Sequence, residues 1–349
     1  GATEPQPASD PVSSDTAPPP HDPAPAAPAP KPGGLPKAAI ILILAVIVIG
    51  VVLLLSGLGG GAPDAIRWAP DNTAVVFSVD ARAVLDSEAM EVLQEADPNV
   101  KRAREEASGG YGLAPDEVKR VTLMGNPSDR EPVVVVEALD DVDQEQVLGE
   151  VFWGSRTKET IGGYEAHSSG RRMVCLVDKR TFVLGSHDTV KGVLERDGKA
   201  KLSEGMQAAL DTADFGDDVA FAVCIKDILP PDMPDQARSF ASRFESAAGS
   251  MSLGGSIQSF VTLTCADSQT AEQVKEMAEG LIAMTSLAVD VFEEQKLDLT
   301  VFSGMLDGCR LSVSGPEITV EGSVSVSDLA DLIQEAKTLE KAADAMDRW

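Results

Sequence analysis

By its pattern of apolar and polar positions, the chain falls into three stretches. The run from Ala38 through Leu55 is almost unbroken Ala, Ile, Leu and Val, and no charge stands between Lys37 and Asp64. About 20 apolar residues at 1.5 Å rise each span a bilayer core of about 30 Å, so the pattern predicts one transmembrane helix over 38–58. Ahead of it, residues 1–37 hold 12 of the 22 prolines and only Val12 and Leu35 as larger apolar side chains. Such a stretch cannot form a core; it reads as an extended, partly polyproline II tail. After a Gly-rich joint within 59–68, short β-rich runs alternate with helical periodicity to the C-terminus. Asn72 to Asp80 reads as a strand, and Val84, Leu85, Met90 and Leu93 mark an amphipathic helix after it.

That alternation occurs twice. Phe77, Val79 and Leu85 match Phe221, Val223 and Leu229 at an offset of 144. Val134 to Asp140, followed by Glu145-Gln146-Val147, matches Val261 to Asp267, followed by Glu272-Gln273-Val274, at an offset of 127. Thr181 to Ser186 matches Ile318 to Ser323 at 137, with a helix after each. Three matches in one order point to a tandem duplication with insertions. The expected fold class is therefore α+β: one transmembrane helix, then two tandem, related α+β units (69–212 and 213–349). Each unit should have a mostly antiparallel sheet with helices on one face. Ser325 or Ser327 ahead of Asp328 caps the last helix, whose stripe is Leu329, Leu332, Ile333 and Ala336.

Charge narrows the partners. With 56 acidic and 29 basic residues among 349, net charge is −27, which excludes non-specific nucleic-acid binding through counterion release. Lys31 and Lys37 precede the apolar run and only Arg67 follows closely. The positive-inside tendency then places the tail in the cytoplasm and the bulk outside, with the lipid bilayer as partner through residues 38–58.

The order of Pro-rich tail, apolar span, and a domain opening Ala69-Pro70-Asp71-Asn72-Thr73-Ala74-Val75-Val76, with Val79-Asp80 soon after, resembles uncharacterised exported proteins of large-genome bacteria. The resemblance implies an envelope protein with one membrane span and an extracytoplasmic α+β domain. It brings no catalytic residues with it.

Candidate chemistry is sparse. Cys175, Cys224, Cys265 and Cys309 allow two disulfides in three connectivities, or pack as free thiols. No Cys-x-x-Cys pair is present. Arg171, Arg172, Lys179 and Arg180 flank one strand and form a basic hairpin that can meet anionic headgroups or an acidic wall polymer, or simply protect a solvated edge. Ser186-His187-Asp188 are neighbours in sequence and cannot act as a relay, so His187 is expected in a helix-starting turn and His167 at a hairpin end. Asp140 to Glu145 is the densest acidic run, but Gln146 stands where a calcium loop needs glycine; acids in a first helical turn explain it. Asp211, Asp214, Asp217 and Asp218 mark the joint between the halves. No catalytic residue, cofactor site or metal site is expected.

The sequence thus points to a non-catalytic, membrane-anchored structural or binding module of the cell envelope, partnered by an envelope protein or polymer. A carrier or sensor of an apolar ligand is the alternative, with Ala278, Leu281, Ile282, Met284 and Leu287 lining its pocket. Third is a hydrolase with scattered active-site residues, gathered around His167 or His187.

Overall fold

The computed structural model describes residues 63–96, 113–128, 131–152, 154–229, 235–294, 301, 304 and 308–333. Two expectations require correction at once. Among the described residues no helix is long and apolar enough to cross a membrane, so the expected transmembrane helix is not shown, and the stretch 38–58 that prompted it lies outside those residues. The placement built on it, with the N-terminus cytoplasmic and the domains extracytoplasmic, falls with it.

Among the described residues there are twelve strands. The first half supplies β1 (Val75–Asp80), β2 (Val118–Gly125), β3 (Val133–Ala138), β4 (Thr157–Ile161), β5 (Tyr164–Ser169), β6 (Arg172–Leu176) and β7 (Thr181–Ser186). The second half supplies β8 (Val219–Cys224), β9 (Phe244–Leu253), β10 (Ser256–Cys265), β11 (Arg310–Ser314) and β12 (Glu317–Ser325). They form one antiparallel sheet in the order β11-β12-β10-β9-β8-β1-β2-β3-β7-β6-β5-β4. The helices are α1 (Ala81–Leu85), α2 (Glu88–Ala96), α3 (Gln144–Val151), α4 (His187–Glu195), α5 (Glu204–Thr212), α6 (Ile225–Ile228), α7 (Asp235–Ala241), α8 (Ser268–Glu294) and α9 (326–333). Caps fix several starts: Asp80 accepts from Ala83 N–H, Ser186 from Thr189 and Ser203 from Met206.

The expectation of two units, each with its own sheet and with helices on one face, is therefore also corrected. The boundary at 212/213 lies between α5 and β8, and the sheet continues through the β1–β8 pair. A strand at a sheet edge exposes a row of unpaired N–H and C=O groups; here each half satisfies the other's. The pairing is two-fold in character. Phe77 faces Phe221, Val75 faces Val223 and Val79 faces Val219, so the start of each strand meets the end of its counterpart. The three matched passages fall on equivalent strands: β1 and β8, β3 and β10, β7 and β12. In the last pair the equivalence is offset by 136, since β3 sets Val134 against Leu184 and β10 sets Val261 against Val320.

Helices cover both faces because β3 is apolar at every position from Val133 to Val136, and all four are buried. On the front face Val134, Val136 and Phe182 pack under Val147 and Leu148 of α3. In the second half α8 covers the front face through Ala271 and Val274, against Leu263, Cys265 and Ile318. Farther along, Ala89 of α2 joins Val326 and Leu329 of α9 on Ile257, Met251 and Leu253. On the back face Val133, Val135, Val183 and Val76 sit beneath Val190 and Leu194 of α4 and Met206 and Leu210 of α5.

Candidate binding surface

Between these covered regions the front face keeps an open centre. Strands β1 and β8 present Val75, Phe77, Val79, Val219, Phe221 and Val223 there, all pointing to one side because side chains alternate along a strand. None of the six belongs to a core cluster among the described residues. Phe77 is 38% exposed, whereas Phe221 is half-buried. The neighbouring strand explains the difference. Phe221 pairs with Gly249, where an added Cβ would lie 2.8 Å from the phenylalanine ring, so that ring rests on bare backbone. Phe77 pairs with Leu123, whose side chain occupies the same place. The result is an apolar floor about four strands wide with one aromatic ring standing up at its two-fold centre. Contiguous exposed apolar area of this kind marks interaction sites.

Among the side chains expected from the sequence to line an apolar pocket, Leu281 and Met284 do not. Leu281 and Met284 point outward from α8 at 53% and 64% exposure; Ala278 and Ile282 are half-buried, and the side chain of Leu287 lies outside the described residues. The floor itself is carried by residues whose repeat match was visible, Phe77 and Phe221, but only the pairing register places them side by side.

The candidate chemistry is dispersed. All four cysteines are thiols: Cys175, Cys224 and Cys265 buried, Cys309 half-exposed. Burial pushes the Cys175 thiol up to about 12. Arg171-Arg172 and Lys179-Arg180 stand at opposite ends of β6 and make no common patch; both Lys179 and Arg180 pair with Asp141, at 3.6 Å and 3.2 Å. The Arg180 hydrogen bond holds the Asp141 carboxyl below its ordinary range.

His167 and His187 lie on opposite faces. His167 is on β5 with its Nε2 3.0 Å from the Gln144 amide and 3.2 Å from Glu165. His187 opens α4, between Asp188 at 3.1 Å and Glu159 at 3.1 Å, and these two carboxylates, Asp188 first, raise its pKa. Ser168 donates to that same Glu159 at 3.5 Å. The carboxylate thus separates hydroxyl from imidazole, the reverse of the order that activates a nucleophile. Among the described residues no group of three or more His, Cys, Asp or Glu side chains is arranged to hold a metal ion.

One acid at the joint is unusual. Asp217 accepts a hydrogen bond from Ser250 at 2.8 Å, and burial, helped by Asp214 and Asp218, pushes its pKa up to about 6. Asp218 accepts from the Leu253 N–H at 2.6 Å, so the acidic run stitches β8 to β9 and is not a free linker.

No family model matches the chain, and no curated protein matches it. Among solved structures it is similar to crystal form I of TP0453, with 8% identity and a TM-score of 0.41 over 78% of this chain and 97% of that one. Crystal form III of TP0453 gives 9% identity and 0.42 over 77% and 96%. Scores this low do not establish a shared fold or function, so no enzyme family, and no other family, is assigned to the chain.

Proposed function

We propose that this chain is a binding module that acts without turnover and seats a neutral apolar ligand on the front floor between β1 and β8. The observation that carries the reading is Phe77, 38% exposed at the centre of a floor whose flanks are closed by α3 on one side and α2, α8 and α9 on the other. None of the six floor residues carries a charge or a hydrogen-bonding side chain, so apolar contact is the chemistry on offer. A net charge of −27 disfavours an anionic amphiphile and favours a neutral one. Against an enzyme stand the separation of the two histidines by the sheet and the engagement of their carboxylates in pairwise contacts.

The test is a fluorescence titration of the full chain with N-phenyl-1-naphthylamine, a neutral apolar probe. Saturable one-site enhancement is expected. Phe77→Ser should weaken it by about tenfold, the worth of one lost aromatic contact. Phe240→Ser, on α7 with its ring against Phe244 and not among the six floor residues, should leave it unchanged. Absence of saturable binding, or equal binding by Phe77→Ser with its fold intact, would rule the reading out.

A further inference from the structure

The back face of the second half differs from its equivalent in a way the front floor does not explain. Matching the two ladders strand by strand sets Val133 of β3 against Phe260 of β10, Gly185 of β7 against Glu321 of β12, and Met173 of β6 against Arg310 of β11. In the first half these positions seat α4: Val133 and Met173 are fully buried, and a Cβ at Gly185 would lie 3.2 Å from Val190. In the second half the helix in the corresponding place, α9, packs on the front face instead, with Ile257 and Ala89. Among the described residues one end of its seat is left open as a groove of about 290 Å³, beside the buried Thr262 that stands in the place of Val135. The seat's apolar residues are replaced by an aromatic ring, a guanidinium and a carboxylate, and Gln258 and Ser323 complete the lining.

We infer that this vacated helix seat is a second binding site, on the face opposite the apolar floor, for a small hydroxylated carboxylate of the sugar-acid type. Arg310 supplies the anion contact. It is exposed, and among the described residues it enters no ion pair, although Glu321 is its cross-strand neighbour. A guanidinium fork matches a carboxylate in a bidentate pair. Glu321 and Gln258 offer acceptors and Ser323 a hydroxyl at the distance of one strand, which suits ligand hydroxyls. The half-buried Phe260 ring gives the C–H face of a sugar ring a surface to lie on. Volume limits the guest, since ligand pockets run from about 300 to 1,000 Å³ and this one is at the small end. Charge limits it too: with Glu321 in the wall, a monoanion is favoured over inorganic phosphate.

The experiment follows backbone amide shifts of Gln258, Gly322 and Ser323 in the full chain during titration with D-glucuronate, D-glucose or inorganic phosphate. Glucuronate should produce saturable shifts confined to these strands, with a Kd of about 1 mM. Glucose and phosphate should bind at least about tenfold more weakly, and Arg310→Gln should lose a similar factor. Phe260→Ser, which keeps the cation, should weaken glucose and glucuronate alike. The inference is overturned if glucuronate gives no saturable shifts through tens of millimolar, if glucose or phosphate matches it, if the shifts lie elsewhere, or if Arg310→Gln binds as well as the parent. N-phenyl-1-naphthylamine binding on the opposite face reports on the apolar floor separately, so either site can fail without the other.

Discussion

Phe77 and Phe221 occupy equivalent positions on equivalent strands and face each other across the β1–β8 pair, yet one ring stands in solvent and the other lies against the sheet. The residue that decides this is on the neighbouring strand: Leu123 beside Phe77, Gly249 beside Phe221. The same lesson holds on the back face. There Val135, Val183 and Cys175 make a sealed apolar core, while the matching positions carry hydroxyls that run from the buried Thr262 through the half-buried Thr319 to the exposed Ser312. Two copies of one ladder have kept their hydrogen-bond register and changed what the register presents. Backbone pairing is indifferent to side chains that face outward, so a repeated sheet can alter one surface without altering its topology.

The largest test of that comparison places the same charge at matched sites. Cys175→Asp buries an unpaired carboxylate under α4 and should prevent folding or cost more than about 4 kcal/mol. Ser312→Asp, exposed on β11, should change stability by no more than about 0.5 kcal/mol; urea unfolding of both variants checks the contrast. Next, Gly249→Ala sets a Cβ 2.7 Å from the Phe260 carbonyl and 2.8 Å from the Phe221 ring, which should cost about 1–3 kcal/mol. Phe77→Ala on the other side of the centre should cost less than about 1 kcal/mol, because that ring is already partly in water.

A smaller effect separates the two joints. Asp217 and Thr73 are equivalent residues ahead of β8 and β1. The Asp217 pKa is raised to about 6, so its protonated form is favoured by folding. Its contribution is full below the ordinary carboxylate pKa and lost as pH rises to about 6. Asp217→Asn should therefore stabilise the chain by about 1–2 kcal/mol at pH 7–8 and have no such benefit at pH 3.5, read from thermal melts at the two pH values. Thr73, buried with no partner for its hydroxyl among the described residues, should tolerate Thr73→Val at all pH values, with a gain of up to about 1 kcal/mol. Smallest of all, His187 has a raised pKa, so its ion pairs stabilise below pH 6.5 and are lost as pH climbs through the folded value. His187→Gln should cost about 0.5 kcal/mol at pH 6 and nothing measurable at pH 9.

Much of the ladder was legible in the sequence because strands of period two and capped helices leave local signals. Val134 to Leu139 and Val261 to Ala266 announced β3 and β10, and Ser186 announced the start of α4. The match of Thr181 to Ile318 came out one residue from the structural equivalence, since similarity of side chains was weighed without knowing which face each served. The continuous Val133 to Val136 run was the available sign that both faces would be covered. Joining of the halves left no such sign: edge pairing is made by backbone groups, which every sequence possesses. The groove was invisible for the same reason, as Phe260, Arg310 and Glu321 are 61 residues apart at their extremes in a chain whose hairpins alone bring them together.

The β1–β8 seam also has a cost in time. Its central residues, Phe77 and Phe221, are separated by 144 positions. At ribosomal rates of about 5–20 residues per second, β8 emerges roughly 7–30 s after β1. Through that interval β1 carries a free edge and the uncovered ring of Phe77, the pairing template on which aggregation begins. A nascent chain of this design is therefore most vulnerable between the emergence of β1 and that of β8, and it is the second copy of the ladder that ends the exposure of the first.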